Sequence, residues 1–516
     1  MKLLKSSSKQ HRNRLKSLEK EINIFTDEFV GNPAYAPKWP KEAKIIHDAL
    51  WGTIRLEPWE IALLDLPLIQ RLRQIRQTSL VHYVFPGCNH TRFDHTLGVL
   101  LHTQRLAEAV NKQDEKTDAP AFDHDVIRDL RVAAIFHDCG HGCFSHISEA
   151  VYRLCPDINS AIKVGGEFEK CTPHEVLSTL ILKSPAVRSY ISKLSSHYNV
   201  EFNIDRSANW ILGKTATEES KSLYRAQVIN GPFDADKLDY IFRDAHFSGL
   251  PLSLDLHRLW ASCQTMEESN LGKRILTLHQ ACAAPLEQIL FSKLNLFSVV
   301  YQHPKVRAAE CMFQGVIELI RSRNIEIDKK NLKKATDFLW ITDARFFAEA
   351  LKRKKSDLLH QMIHDILYRR LLVRALTISM DTVKKTGKRY HELRQLNQKT
   401  KQAYDRRRAL ARKIWNKAGK PHSSYQIWLD LPPEPPIGAA DQTYVRTPSG
   451  LPRKLSDLFP IHYWSQLYIS HKWRGHVFSP HDCQQVVYEA AKKVLKSEFG
   501  LNFKKSAGEL SHVPNP

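Results

Sequence analysis

The chain has 516 residues, 42% of them hydrophobic, and a formal net charge of +21. That length is enough for a large core and more than one domain of roughly 100–200 residues. Its apolar runs, such as Leu296–Tyr301, fall far short of the roughly 18 residues a membrane span needs, which excludes an integral membrane protein. The charge points to a polyanionic partner without saying which. Nine cysteines, an odd number with no CxxC pair, argue against a disulfide framework or a cysteine zinc site. A reducing cytoplasm is therefore the expected location.

Residues 1–44 read as a basic N-terminal extension. Their start, MKLLKSSSKQHRNRLKSLEK, lacks the apolar stretch of a signal peptide, and GNPAYAPKWPK is rich in turn residues. From Ile45 to about Val300 apolar residues recur mostly at helical spacing, as in DVIRDLRVAAIF, Asp125 to Phe136. The helical pattern continues from Val306 to about Met380, including LHQMIHDILYRRLLVRALTI. Lys384–Lys420 then holds fourteen Lys/Arg against two acids and predicts a helical hairpin or one long helix carrying Tyr404 and Trp415. Two readings of this segment stand: a solvated face, or a surface for nucleic acid or polyphosphate. LPPEPPIGAADQTYVRTPSGLP reads as loop with one short strand. SYQIWLDL and KWRGHVFSP alternate like strands, and HDCQQVVYEAAKKVLKSEFG is an amphipathic helix closed by Gly500. The expected fold is mainly α, a helical core with a smaller α+β C-terminal region. The expected divisions are 1–44, 45–305, 306–383, 384–420 and 421–516.

The most concentrated chemistry lies in AAIFHDCGHGCFSHISEA, Ala133 to Ala150. An adjacent His and Asp at a helix end can both reach one cation where the backbone turns, and Gly140 and Gly142 supply that turn. Imidazole with carboxylate suits manganese, iron, cobalt or zinc rather than magnesium alone. The dipeptide recurs at 47–48, 124–125, 364–365 and 481–482, but only His137-Asp138 follows an apolar helix and precedes further histidines. Cys139 and Cys143, which flank His141, are either thiolate ligands or small hydrophobes. Partner ligands are sought in His95, at a helix start, and Asp236, a polar group on the inward face of a helix. His146 and Glu149, at i and i+3, are neighbours on one helix face. A carboxylate beside an imidazole favours the imidazolium, a general acid.

The motifs HTRFDHTLGV, HDCGHGCFSH and DADKLDYIFRD, in that order, resemble the HD-domain phosphohydrolase superfamily. RLRQIRQTSLVHYVFPGCNHTRFDH and FSVVYQHPKVRAAE make the chain similar to the deoxynucleoside triphosphate triphosphohydrolases, the dGTPase and sterile-alpha-motif-HD branch. The resemblance covers roughly residues 45 to 380. It implies His95, His137, Asp138 and Asp236 as metal ligands. It further implies His146 with Glu149, His141 and His174 on the phosphate side, and Arg92 and Lys237 as phosphate cations. Tyr240, Asp244 and Gln77 match sugar and base contacts. One phosphate arginine of the branch has no secure counterpart, with His303 or Arg307 as replacements.

The implied activity is metal-dependent hydrolysis of deoxynucleoside triphosphates to deoxynucleoside and tripolyphosphate, with magnesium accompanying the substrate phosphates. Kinship further implies a homo-oligomer activated by nucleotides. Two alternatives stand beside it: an HD phosphohydrolase acting on a signalling nucleotide or a monophosphate, and a nucleic-acid-binding protein that uses Lys384–Lys420 and carries a secondary HD site.

Overall fold

The protein is described from a computed structural model that covers the chain except residues 1, 33, 35–37, 114–120, 164–165, 217–218, 253–254, 436–442 and 515–516. Parts of the turn-rich stretches after Gly31 and after Leu431 thus lie outside the described residues.

The elements that position the site are helices. Helix α1 (Lys2–Thr26) is followed by a hairpin of β1 (Lys44–Asp48) and β2 (Gly52–Leu56). The central helices are α2 (Arg92–Gln113), α3 (His124–Phe136), α4 (Ser145–Tyr152), α5 (Pro173–Lys183) and α6 (Ala235–Ser248). A second hairpin, β3 (Cys263–Glu268) and β4 (Lys273–His279), precedes α7 (Pro304–Ser322) and α8 (Leu358–Leu367). The remainder holds β5 (Val373–Ile378), α9 (Lys388–Gln395), α10 (Lys401–Lys417), β6 (Trp428–Asp430), β7 (Tyr444–Arg446), β8 (Pro452–Lys454), β9 (Gly475–Ser479) and α11 (Gln484–Phe499).

The mainly α expectation and the smaller α+β end hold. Among the described residues one hydrophobic core runs from Leu18 on α1 to Leu372, and takes in Trp428 and Phe478. A second core, from Ala375 to Val513, packs α10 and α11 against a three-stranded antiparallel sheet ordered β5-β9-β6. Asp123 caps α3 by accepting from Val126 N, and Asp234 caps α6 by accepting from Lys237 N. Gly500, at φ +61°, ends α11 as expected.

Three sequence expectations are corrected. The stretch read as helical from 45 to 300 contains two hairpins. Gly272, at φ +58°, turns β3 into β4, and the Asn270-Leu271-Gly272 signal was present in the sequence. Residues 359–378 are not one helix. Arg369 sits at φ 58° after α8, and Val373–Ile378 forms a strand whose short mixed run, VRALTI, does not reveal its period. The first 44 residues are not an appendage, since Leu18, Ile22 and Phe25 of α1 are buried in the main core.

Candidate metal and phosphate site

His95 stands in the first turn of α2, and His137 directly follows the last residue of α3. His95 Nδ1 donates to Asp239 Oδ2 at 2.7 Å, and His137 Nδ1 donates to the Ala134 carbonyl at 2.7 Å. These second contacts leave both Nε2 lone pairs facing each other, 3.3 Å apart. Two lone pairs at that separation repel unless a proton or cation lies between them. Asp236 Oδ1 is 3.0 Å from His95 Nε2, and the Asp138 oxygens are 3.7 Å from His95 Nε2 and 3.6 Å from His137 Nε2. His95, His137 and Asp138 therefore form one cluster, with Asp236 joined to it through His95, and these two nitrogens and two carboxylates fit a divalent transition metal. Burial works against charge on His95, but Asp236 and Asp239 outweigh it and lift the imidazole to about 10. Burial likewise opposes ionisation of Asp138, yet Arg92 and His137 hold its carboxyl well below the usual range. Cys139 and Cys143 are buried with thiols pushed up by burial, and neither belongs to the cluster; they act as small hydrophobes.

Asp239, which the motif reading passed over, organises this cluster. Its carboxylate accepts from His95, from Trp51 Nε1 at 2.5 Å, and from Arg243 Nε and Nη2 at 2.8 and 3.0 Å. Arg243 also donates to Asp48 at 3.0 Å, which ties the β1–β2 hairpin to the site. Gly98 lets α2 lie this close to α6, because a Cβ there would fall 1.7 Å from Asp239 Oδ1. The Asp239–Arg243 spacing of i and i+4 was the sequence signal for this pair.

The glycines of the His137 motif have a similar use. A Cβ on Gly140 would lie 2.2 Å from the His174 carbonyl, so α5 packs directly on this turn. Phe144 and Ser145 then adopt φ 58° and 44°, a left-handed pair that non-glycine residues rarely take. Asp343 holds that conformation by accepting from Phe144 N at 2.7 Å and from Arg76 N at 3.0 Å. The strained turn starts α4 and aims His146 into a cavity of about 400 Å³.

That cavity is lined by Arg92, Asp138, His141, His146, His174 and Asp236, among others. Arg92 donates to Asp138 Oδ2 at 2.5 Å and to Ser145 Oγ at 3.0 Å, and its Nη2 lies 3.4 Å from His146 Nε2. Glu149 Oε2 lies between His146 Nδ1 at 3.4 Å and His174 Nδ1 at 3.5 Å. Burial disfavours charge on both Glu149 and His174, but their contact wins. It holds the carboxyl well below its usual range and raises the imidazole. His141 stacks on His174 with ring centroids 4.2 Å apart, and burial with Arg92 keeps it well below the ordinary imidazole value.

Gln77, Tyr240 and Asp244 line the same cavity. Asp244 accepts from His90 Nε2 at 2.8 Å and from the Tyr301 hydroxyl. Lys237 is not part of the wall; its ammonium donates to Asp234 at 2.5 Å and to the Gly231 carbonyl at 2.8 Å. Buried Lys293 is a further cation of this region that sequence reading missed. Burial and Lys237 lower it to about 8. His303 lines a different pocket, with Lys305 and Arg374. Arg307 reaches the main cavity, but Asp430 grips its guanidinium at 3.0 and 2.7 Å and Glu310 also accepts from it.

The opposite wall comes from the basic segment. Asn397–Thr400, Tyr404, Arg407 and Arg408 line the cavity together with residues near β6. The Arg406–Arg408 triplet splits three ways. Arg406 pairs with Glu498 on the surface, Arg407 donates to the Leu396 and Gln398 carbonyls, and Arg408 is buried on Glu318 and Trp428.

The HD domain profile matches residues 92–228, and that of the HD associated region matches 254–500. The chain belongs to the HD-domain phosphohydrolase superfamily. Within it the chain falls on the SAMHD1-like side. It is 28% identical over 279 residues to the deoxynucleoside triphosphate triphosphohydrolase SAMHD1 of Bos taurus, covering 50% of this chain and 44% of that protein. It is 29% identical over 304 residues to an uncharacterized protein of Methanocaldococcus jannaschii, covering 58% and 55%. The chain thus spans about half the length of the curated relatives it matches. A crystal structure of a hypothetical protein from Aquifex aeolicus shares the fold, with a TM-score of 0.61 at 22% identity over 87% of this chain and 100% of that one. Among the described residues no helix is long and apolar enough to cross a membrane.

Proposed function

We propose that the protein hydrolyses deoxynucleoside triphosphates to deoxynucleoside and tripolyphosphate, using a divalent transition metal (manganese, iron, cobalt or zinc) held by His95, His137, Asp138 and Asp236. The observation that carries this reading is that one cavity joins Asp138 and Asp236 of the ligand cluster to Arg92, His146 and Glu149 and to Gln77, Tyr240 and Asp244. Its volume of about 400 Å³ lies within the range of small-molecule sites, ~300–1,000 Å³.

A metal bound at this cluster supplies Lewis-acid charge for the phosphate and acidifies water. The chain's own groups do the rest. Arg92 holds Asp138 in place and offers positive charge to the phosphoryl oxygens, where charge develops in the transition state. Water attacks the α-phosphorus, the bond from phosphorus to the 5′-oxygen breaks, and His146 delivers a proton to that departing oxygen. Glu149, held ionised, orients His146 through Nδ1 and joins it to His174, whose raised imidazole stores a second proton. His141, kept neutral by burial and Arg92, is a close-range partner for phosphate oxygens. Tyr240 stacks on the sugar and Asp244 accepts from its 3′-hydroxyl. Assembly into an oligomer switched on by nucleotides is part of the same proposal and rests on kinship with the SAMHD1 proteins.

The test is incubation of the full chain with each of the four deoxynucleoside triphosphates and their ribo forms, with manganese or magnesium, followed by product chromatography. Tripolyphosphate with deoxynucleoside is the expected pair. Pyrophosphate or single phosphate as the product would move the protein to another HD phosphohydrolase activity.

A further inference from the structure

Across the cavity from the metal ligands, the loop between α9 and α10 presents Lys399. Most other cations that line the cavity are already matched. Arg307 is held by Asp430 and Glu310, Arg408 by both oxygens of Glu318, and Arg153 by Glu149 at 3.2 Å. Lys399 makes no hydrogen bond and no ion pair with any described residue. Its side chain is exposed and lines the cavity. The loop that carries it is fixed from below. Arg407 donates to the carbonyls of Leu396 and Gln398, and Thr400 caps α10 by accepting from Ala403 N at 3.2 Å. A rigid loop that carries one unmatched ammonium into a cavity is an anion contact waiting for its partner.

We propose that Lys399 is a substrate-binding residue that grips the polyphosphate chain from the wall opposite the metal cluster. The basic segment is then part of the substrate site and not only a surface. This inference rests on the triphosphate reading above. Burial pushes the ammonium below its ordinary value, Glu149 pulls the other way, and Arg153 and Arg307 add to the depression. An arriving phosphate restores the charge that this environment disfavours. The neighbouring Lys401 serves as a control, because it carries the same charge two residues on but points to solvent and pairs with Asp405 at 2.5 Å.

The experiment is calorimetric titration of inorganic tripolyphosphate into the metal-loaded full chain and into Lys399→Met, Lys399→Arg and Lys401→Met. A hydrogen bond to a charged group contributes enough for roughly a tenfold loss in Lys399→Met, with Lys399→Arg close to wild type and Lys401→Met unchanged. In turnover of the best nucleotide, Lys399→Met should raise KM about tenfold with kcat within about twofold. Equal tripolyphosphate affinity in Lys399→Met and wild type overturns the proposal. Equal losses in Lys399→Met and Lys401→Met also overturn it, since they would report only long-range charge. If no deoxynucleoside triphosphate is hydrolysed, yet tripolyphosphate binding still depends on Lys399, the activity reading falls and the anion site stands.

Discussion

The two walls of the central cavity are built on different principles. The ligand wall comes from α2, the end of α3 and the start of α6, and nearly every charge on it has a dedicated partner. Asp239 alone collects His95, Trp51 and Arg243. The opposite wall comes from α7, the α9–α10 loop and the approach to β6, all from Pro304 onward in the chain. There Arg307 and Arg408 are tied off against carboxylates, Arg407 against backbone carbonyls, and one lysine is left over. The first wall fixes geometry, as metal ligation demands; the second adjusts charge and closes the space.

The comparison breaks most completely at the ligand wall. His137→Ala or Asp138→Ala should remove bound transition metal and activity together, because each takes away one of the three groups, with His95, whose ligand atoms lie within reach of one another. Elemental analysis of the purified variants is the measurement, and full metal content in either one would overturn the assignment. Next comes His146→Ala, which should leave metal content intact and lower kcat by about 10²–10⁴, the usual share of general-acid help. Its side chain is 64% exposed, so the loss is chemical rather than structural. Single-turnover rates within twofold of wild type would mean that another group protonates the leaving oxygen.

The difference between the walls also explains what the sequence could reveal. The ligands and the phosphate-side histidines sit in short motifs, where local spacing carries the geometry, so they were readable residue by residue. Asp239 was visible in DADKLDYIFRD, but nothing in its spacing said that it faces His95 and not solvent. Lys399 and Arg407 were visible only as charge in a basic stretch, because their place depends on how α10 packs on Glu318 and Trp428. The fold shows the same limit. Amphipathic α3 and α11 announced themselves, whereas β5 and the β3–β4 hairpin hid in runs whose period is ambiguous until a partner strand is known.

The far wall should break at one arginine of its triplet. Arg408 is 4% exposed, with both Glu318 oxygens at 2.8–2.9 Å. Arg408→Ala leaves Glu318 largely buried with only the Tyr404 hydroxyl and no cation, a loss of about 3–5 kcal/mol in a urea unfolding experiment. A change below about 1 kcal/mol would show that water compensates the carboxylate there. A subtler effect should follow Asp239→Asn, which weakens the orientation of His95 without removing a ligand. Metal affinity should fall about 10–100-fold in a competitive chelator titration. Unchanged affinity would reduce Asp239 to a packing group for Arg243.

The smallest effect belongs to Arg406, two residues from Arg408 and on the other side of the helix. Its guanidinium shares Glu498 with Lys413, and its side chain is 44% exposed. Exposed pairs of this kind contribute about 0–1 kcal/mol, because water screens the attraction and two long side chains must be ordered to make it. Arg406→Ala should therefore leave the unfolding midpoint, metal content and turnover close to wild type. That neutrality makes it the clean probe for the nucleic-acid reading of Lys384–Lys420, which reversal of the whole triplet, with Arg408 included, would obscure. If DNA or RNA lies along this face, Arg406→Ala weakens binding uniformly across sequences and reduces the slope of log K against log salt by about one. An unchanged slope with unchanged stability assigns the outer face of α10 to solvent and leaves Arg407 of α10, with Lys399 of the preceding loop, to the cavity.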